Sequence, residues 1–453
     1  MIGFSMLLVR TVVSAHVFPR VRSAYRRGMI ASLATALLVF TGSLAATDPV
    51  HSGLCARLVV PDAEHQRVSC LRELTTAGTV TSGHTNVADW AGLTHAALPQ
   101  PKGVPGVQVD GYFPDSSTTN DNHGWHHDAQ FVLRLPDKWN GGLVVSGAPG
   151  TRRQYANDRA IADWVLTKGY AFAATDKGNT GATFFRDGAR PGDAVAEWNS
   201  RVTQLTIAAK AVVAQRYGRS PKRTFAAGIS NGGYLVRWQL ENRPALFDGG
   251  VDWEGTLWRA NGPNLFTFLP PVLRAYPRYL AGSTAARQEI VDAGFPQESE
   301  FLWDYHYRVY WDLTQRIFRE EFDPASDGGL EAGIPFCTSG TVACDTDYDY
   351  PSRPREVRTA VERISLTGRI HKPLISLHGT LDTLLPISRT GDAYADMVRS
   401  TGNGHLHRYH RVVGGTHVDG LADVHPGRIE PLGPHFRAAF DELAERVGVP
   451  PAD

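Results

Sequence analysis

The stretch from Arg223 to Pro244, RTFAAGISNGGYLVRWQLENRP, constrains the fold more than any other part of the chain. An apolar run that reads as a buried strand leads to Gly228, and beyond Gly232 the spacing reads as a helix. Between them lies Gly228-Ile229-Ser230-Asn231-Gly232, a lone serine with a glycine two residues away on either side. A strand that hands over to a helix in so few residues must turn sharply. The serine at the apex then takes a strained backbone conformation that pushes its hydroxyl clear of the sheet, and the glycines leave room for the neighbouring strand and helix.

The rest of the chain supplies the sheet such a unit needs. AQFVLRLP, GGLVVSGAPG, YAFAATDKGNTG, DGGVDWEG, KPLISLHG and HRYHRVVGG each contain a short apolar run that ends at a turn signal. Between and after them RAIADWVLTKG, RVTQLTIAAKAVVAQRYG and HFRAAFDELAERVG have helical spacing. In the second, Val202, Leu205, Ala209, Val212 and Arg216 share one stripe and Gly218 is the stop. This alternation predicts an α/β fold with a mostly parallel central sheet flanked by helices, and it places reactive groups at the carboxyl ends of the strands. From Gly255 to about residue 370 the pattern turns irregular and aromatic, with FLWDYHYRVYWDLTQRIF inside it. That stretch is expected to be an inserted cap or lid between the strand after the nucleophile helix and the strand carrying the acid. The expected organisation is a signal peptide over 1–46, an N-terminal extension over 47–105, a first core segment over 106–255, the cap over 256–369 and a second core segment over 370–453.

Residues 20–27, RVRSAYRR, are basic, and residues 28–46, GMIASLATALLVFTGSLAA, are apolar and end in small residues. That order reads as a secretory signal cleaved near Ala45 or Ala46, so the chain is expected to be secreted. The alternative is a retained anchor, but the apolar run barely reaches the roughly 18 residues a span needs and contains Ser, Thr and Gly. An even number of cysteines in local pairs agrees with export. Disulfides are expected between Cys55 and Cys70 and between Cys337 and Cys344, although spacing does not fix connectivity. Structural zinc is the alternative reading, and its CxxC spacing is absent. Lys+Arg and Asp+Glu number 46 each, a balance that gives no support for nucleic acid or an anionic membrane as partner.

A serine hydroxyl needs a base, and the base needs an orienting acid. In this architecture the chain order is Ser, acid, His. After the expected cap, Asp382 follows the apolar strand in PLISLHGTLDTLLP, and His417 follows the last strand in RVVGGTHVDG. The expected catalytic set is Ser230, Asp382 and His417. Glu254 and Asp252, at the end of the strand after the nucleophile helix, are rivals for the acid, and Asp419 lies too near His417 in sequence. For the oxyanion the expected donors are the backbone N–H of Asn231 and that of Ala148, since Pro149 next to it has none. His123, His126, His127 and Asp128 could suggest a metal, but they read as a loop. Asp345, Asp347 and Asp349 alternate as in calcium loops but lack the glycine and distal glutamate of an EF-hand. Trp303, Tyr305, Tyr307, Tyr310 and Trp311 read as packing. No metal and no cofactor are expected.

On these residues the chain resembles α/β-hydrolase-fold esterases. GYAFAATDKGNTG, TIAAKAVVAQRYGRSPKRTFAAGISNGG and PALFDGGVDWEG look like the tannase and feruloyl esterase family. SNGG, ISLTGRIHKPLISLHGTLDTLLP and RYHRVVGGTHVDG look closer to 3-hydroxybutyrate oligomer hydrolases. The resemblance implies the same triad and a cap that shapes the pocket. One departure stands out. The tannase family pairs a cysteine before the nucleophile with one after the histidine, and here Ile229 and Val418 hold those places. The expected function is hydrolysis of carboxylic esters through an acyl-enzyme, on hydroxy-acid esters or oligoesters. The alternatives are phenolic esters, peptides, or a silent fold used for binding.

Overall fold

The computed structural model describes residues 58–326, 346 and 348–448. All of them fall in one compact unit spanning 48–453. The expected signal peptide over 1–46, Cys55, Cys337, Cys344, Asp345 and Asp347 lie outside the described residues. Cys70 is disulfide-bonded, but both expected cysteine pairings involve residues outside that range.

Among the described residues nine strands form a single sheet in the order β1-β2-β3-β5-β4-β6-β7-β8-β9. They are β1 His65–Leu71, β2 Gly106–Tyr112, β3 Gln130–Pro136, β4 Gly142–Gly147, β5 Ala171–Thr175, β6 Arg223–Ile229, β7 Gly249–Trp253, β8 Leu374–Gly379 and β9 His407–Val412. The pairings from β1 to β5 are antiparallel. Those from β5 through β4, β6, β7 and β8 to β9 are parallel. This is the strand order of the α/β-hydrolase fold with one extra strand at the antiparallel edge. That extra strand comes from the N-terminal extension, where His65 pairs with Tyr112 and Leu71 with Gly106. Its polar sequence, HQRVSCL, suits a partly exposed edge and carries little of the apolar signal of an inner strand.

The helices used below are α1 Asp163–Thr167, α2 Asp193–Tyr217, α3 Asn231–Asn242, α4 Leu265–Leu280, α5 Thr284–Asp292, α6 Glu300–His306, α7 Asp312–Phe322, α8 Arg355–Glu362, α9 Gly391–Ser400 and α10 Leu432–Arg446. Each inner strand presents alternate side chains to opposite faces. On β4, Leu143 and Val145 join a cluster with Trp198, Val202 and Leu205 of α2. Val144 joins the other cluster, with Phe440 and Leu443 of α10. Val202, Leu205, Ala209 and Val212 of the α2 stripe are buried as the spacing predicts, and Gly218 closes the helix in the left-handed region at φ 71°.

Helices α4 to α8 all lie between β7 and β8. They share the core rather than build a second one. Phe318 of α7 packs on Phe184 and Trp258 at ring distances of 5.4 and 5.2 Å. One hydrophobic cluster runs from α2 into this segment. Trp303 and Trp311 are fully buried and Tyr307 nearly so, which is packing. Among the described residues no helix is long and apolar enough to cross a membrane.

Candidate active site

Ser230 sits between β6 and α3 with φ 59° and ψ −119°, a conformation that costs a non-glycine residue energy and persists only when its surroundings enforce it. Its N–H donates to the Trp253 carbonyl at 2.9 Å, tying the turn to β7. The neighbouring glycines are there for space. A Cβ on Gly228 would lie 2.4 Å from the Gly232 carbonyl, and one on Gly232 would lie 2.5 Å from the Gly147 carbonyl oxygen.

His417 Nε2 is 2.9 Å from Ser230 Oγ. Its Nδ1 is 2.9 Å from Asp382 Oδ2. Asp382 is pinned by its own loop, where Oδ1 accepts from the N–H groups of Leu384 and Leu385 at 2.7 and 2.9 Å, an aspartate-led turn. The two loops can meet because both carry glycine at the crossing. A Cβ on Gly379 would come within 2.3 Å of the Gly415 backbone. The structure thus brings the three expected residues into one chain of contacts.

Asp252 and Asp419 are bonded elsewhere. Asp252 accepts from Arg237 Nε at 2.6 Å and from Gly255 N–H at 2.8 Å. Asp419 accepts from the N–H groups of Leu432 and Gly433. Glu254 is different. Its Oε2 lies 3.2 Å from His417 Nδ1, the nitrogen that also faces Asp382. Asn231 opens α3, and its side chain donates to the Gly150 carbonyl at 3.1 Å and accepts from Thr256 Oγ1 at 2.8 Å. Ala148 does not have the expected free donor. Its N–H donates to the Thr175 carbonyl at 3.0 Å and so extends the β4–β5 ladder by one residue. Gly150, at φ 52°, accepts from the Asn231 side chain, and a Cβ there would meet no atom within 4 Å.

Charge in the site is tightly linked. Burial, the largest single influence, disfavours the charged imidazole of His417, but the Asp382 and Glu254 carboxyls together outweigh it and push the ring up to about 10. Burial also opposes charge on Asp382, yet the facing His417 and His378 hold it well below the ordinary carboxylate range. Glu254 moves the other way, pushed up to about 8 by burial and by the Asp382 charge. His378 Nε2 lies 3.3 Å from Asp382 Oδ2 and 2.8 Å from the Leu385 carbonyl oxygen. The segment after β7 reaches the same loop, with Trp311 Nε1 donating to the Thr383 carbonyl at 2.6 Å and Thr383 Oγ1 within 2.7 Å of His306 Nδ1. Burial pulls His306 down to about 4. His378, His306 and Thr383 carried no sequence signal of a role.

Among the described residues, two groups of side chains approach closely enough to hold a cation, with ligand atoms within 4.8 Å: Glu254, Asp382 and His417, and Asp115, Asp187 and Glu197. The first is the relay itself. In the second, Arg201 already pairs with Asp115 at 3.0 Å and with Glu197 at 2.7 Å. The histidine loop does not converge. His123 Nε2 bonds Tyr155 and its Nδ1 bonds Arg67. Asp128 accepts from Ser117, Thr119 and Thr180. His127 stacks on Tyr112.

The model of the tannase and feruloyl esterase family matches residues 117–251, which include Ser230. Mono(2-hydroxyethyl) terephthalate hydrolase of Piscinibacter sakaiensis is 28% identical over 142 residues, covering 28% of this chain and 23% of that protein. The chain therefore spans about a quarter of the length of this relative. Among solved structures, feruloyl esterase B from Aspergillus oryzae aligns over 81% of this chain and 83% of its own, at 14% identity and a TM-score of 0.47. Tannin acyl hydrolase from Aspergillus niger aligns over 88% and 86%, at 13% identity and a TM-score of 0.48.

Proposed function

We propose that this chain is a secreted serine hydrolase of carboxylic esters that works through an acyl-enzyme on Ser230. The observation that carries the reading is the relay from Ser230 Oγ through both ring nitrogens of His417 to Asp382, with both contacts at 2.9 Å. His417 Nε2 takes the hydroxyl proton as Ser230 attacks the ester carbonyl. The same nitrogen then returns the proton to the leaving alcohol. Water, activated in the same way, attacks the acyl-enzyme and frees the acid. Asp382 orients the ring and stabilises its positive charge. The oxyanion is held by the N–H of Asn231 and, in place of Ala148, by that of Gly150. Each such donor is worth about 3 kcal/mol of barrier.

In this reading the described part of residues 256–369 serves as a cap over the serine and so decides the ester. Hydroxy-acid esters or oligoesters are the first class proposed. Esters of aromatic acids are the second, favoured by the family match over residues 117–251 and by the terephthalate ester in the relative's name. The family match falls on the core rather than the cap. Rates on 3-hydroxybutyrate dimer, methyl ferulate and mono(2-hydroxyethyl) terephthalate separate them, and a large preference for either aromatic ester reverses the order. Ser230→Ala is expected to fold and to lose p-nitrophenyl acetate turnover. Retained turnover sinks the serine reading, and cleavage of a peptide panel sinks the restriction to esters. Secretion is checked by the mass of the mature N-terminus, expected just after Ala45 or Ala46.

A further inference from the structure

We propose that Glu254 is a positioning residue for His417, a second acid held against the same ring nitrogen as Asp382, which shares in orienting the ring and can orient it alone when the Asp382 charge is removed by substitution. The inference rests on the serine-hydrolase reading above. Three observations on geometry support it. Glu254 Oε2 is 3.2 Å from His417 Nδ1, against 2.9 Å for Asp382 Oδ2. The ring nitrogen has one proton to give, and Asp382 holds it. Oε2 is therefore a buried oxygen with no hydrogen bond of its own, an expensive state unless the group has another use. The other oxygen, Oε1, is fixed by the N–H of Gly379 at 2.6 Å, so the carboxyl cannot swing away.

The backbone adds a further observation. Glu254 has φ 50° in the left-handed region, which a non-glycine residue adopts only under constraint. The constraint is visible. Buried Arg237 donates to Asp252, Asp252 accepts the N–H of Gly255, and the N–H of Glu254 donates to the Leu377 carbonyl at 2.8 Å. The turn is held from both sides of Glu254, and this aims its side chain at His417.

The groups facing Glu254 are Asp382, His417 and His378 from the loops after β8 and β9 and from β8 itself. Asp252 and Arg237 stand behind the turn, and His306 of α6 faces the Asp382–His417 pair from the cap side. With Asp382 ionised, a second anion beside it is unfavourable, and Glu254 holds a proton up to about pH 8. Remove the charge on Asp382 and that opposition goes. Glu254 then ionises more readily and supplies the missing charge at the same nitrogen. The two carboxyls and the ring titrate as one set.

The test compares wild type, Glu254→Gln, Asp382→Asn and the double variant, by kcat/KM for p-nitrophenyl acetate from pH 5 to 10, with Ser230→Ala as control. An orienting aspartate with no substitute costs about 10⁴-fold when amidated. Here Asp382→Asn alone is expected to cost on the order of 10²-fold, because a second carboxylate can still orient the ring. Adding Glu254→Gln to it is expected to cost on the order of 10²-fold more, while Glu254→Gln alone costs roughly tenfold or less, as groups acting as a unit are non-additive. An equal cost of Glu254→Gln in both backgrounds means a purely structural role and overturns the proposal. Should Asp382→Asn fail to fold, the pH profile of Glu254→Gln decides. Loss of a neighbour that raises His417 moves the midpoint of the acidic limb down by about half a unit or more, and an unmoved midpoint overturns the proposal. Full turnover in Ser230→Ala overturns the serine reading and this proposal with it. A dead Ser230→Ala with equal costs in both backgrounds overturns this proposal alone.

Discussion

Gly232→Ala tests whether the turn at Ser230 depends on close backbone approach. A Cβ at position 232 would sit 2.5 Å from the Gly147 carbonyl oxygen, where ordinary contact begins at 3.4 Å. The gap must open by about 0.9 Å, and the obstructing atom is backbone, which no rotamer change can move. Gly147 ends β4, and the next residue, Ala148, is locked to Thr175 by a 3.0 Å hydrogen bond. Either the start of α3 or the end of β4 has to yield, and each moves Gly150 relative to Ser230. Two effects compete in stability. Alanine in a helix is better than glycine by up to about 1 kcal/mol, whereas overpacking costs about 1–3 kcal/mol. The clash is expected to win, but by little. At roughly 1–2 °C per kcal/mol in a chain of this size, the melting temperature falls by only a few degrees. Turnover is the sensitive readout, because a misplacement near 1 Å costs on the order of 10²-fold. The assay is kcat/KM on p-nitrophenyl acetate beside thermal melts, with Gly404→Ala as control, since its nearest neighbour is the flexible Arg399 side chain at 3.5 Å. A Gly232→Ala enzyme within about threefold of wild type would refute the reasoning, since a 1 Å shift should cost far more.

Trp311→Phe removes the indole donor to the Thr383 carbonyl; loss of about 1–3 kcal/mol is expected from the unsatisfied buried oxygen, with kcat reduced more than KM as the Asp382 loop loosens, read by denaturation and steady-state kinetics. Asp252→Ala leaves the fully buried Arg237 without its partner; about 3–5 kcal/mol of stability is expected to go, and an unchanged urea midpoint would show that this pair does not brace the turn. Glu321 is buried, accepts the Val195 N–H at 3.1 Å and is pushed up to about 9 by burial. Its folded value lies above its unfolded one, so its contribution to stability is present in full below about pH 4.5 and is lost as pH rises to about 9; Glu321→Gln is expected to flatten the fall in melting temperature across that window.

The mostly parallel sheet, and the places of Ser230, Asp382 and His417 at turns that follow its strands, were legible because each rests on local chemistry. An apolar run followed by turn residues can be read without knowing what lies beside it, and the order Ser, acid, His follows from the order in which the strands are laid down. The edge strand β1 was not legible, since HQRVSCL gains its pairing from β2 rather than from an apolar face of its own. Ala148 was misread for a related reason. Its sequence shows an N–H next to a proline, but only the sheet shows that the N–H is already given to Thr175. Glu254 and Asp382 were rivals in the sequence because both follow strands of the same sheet. The folded chain sets both against one ring nitrogen, 35 residues away from Asp382 and far further from Glu254 along the chain. Local propensity and pattern reach only a few residues along the chain, whereas which donors remain free and which charges face each other are set by contacts between distant segments.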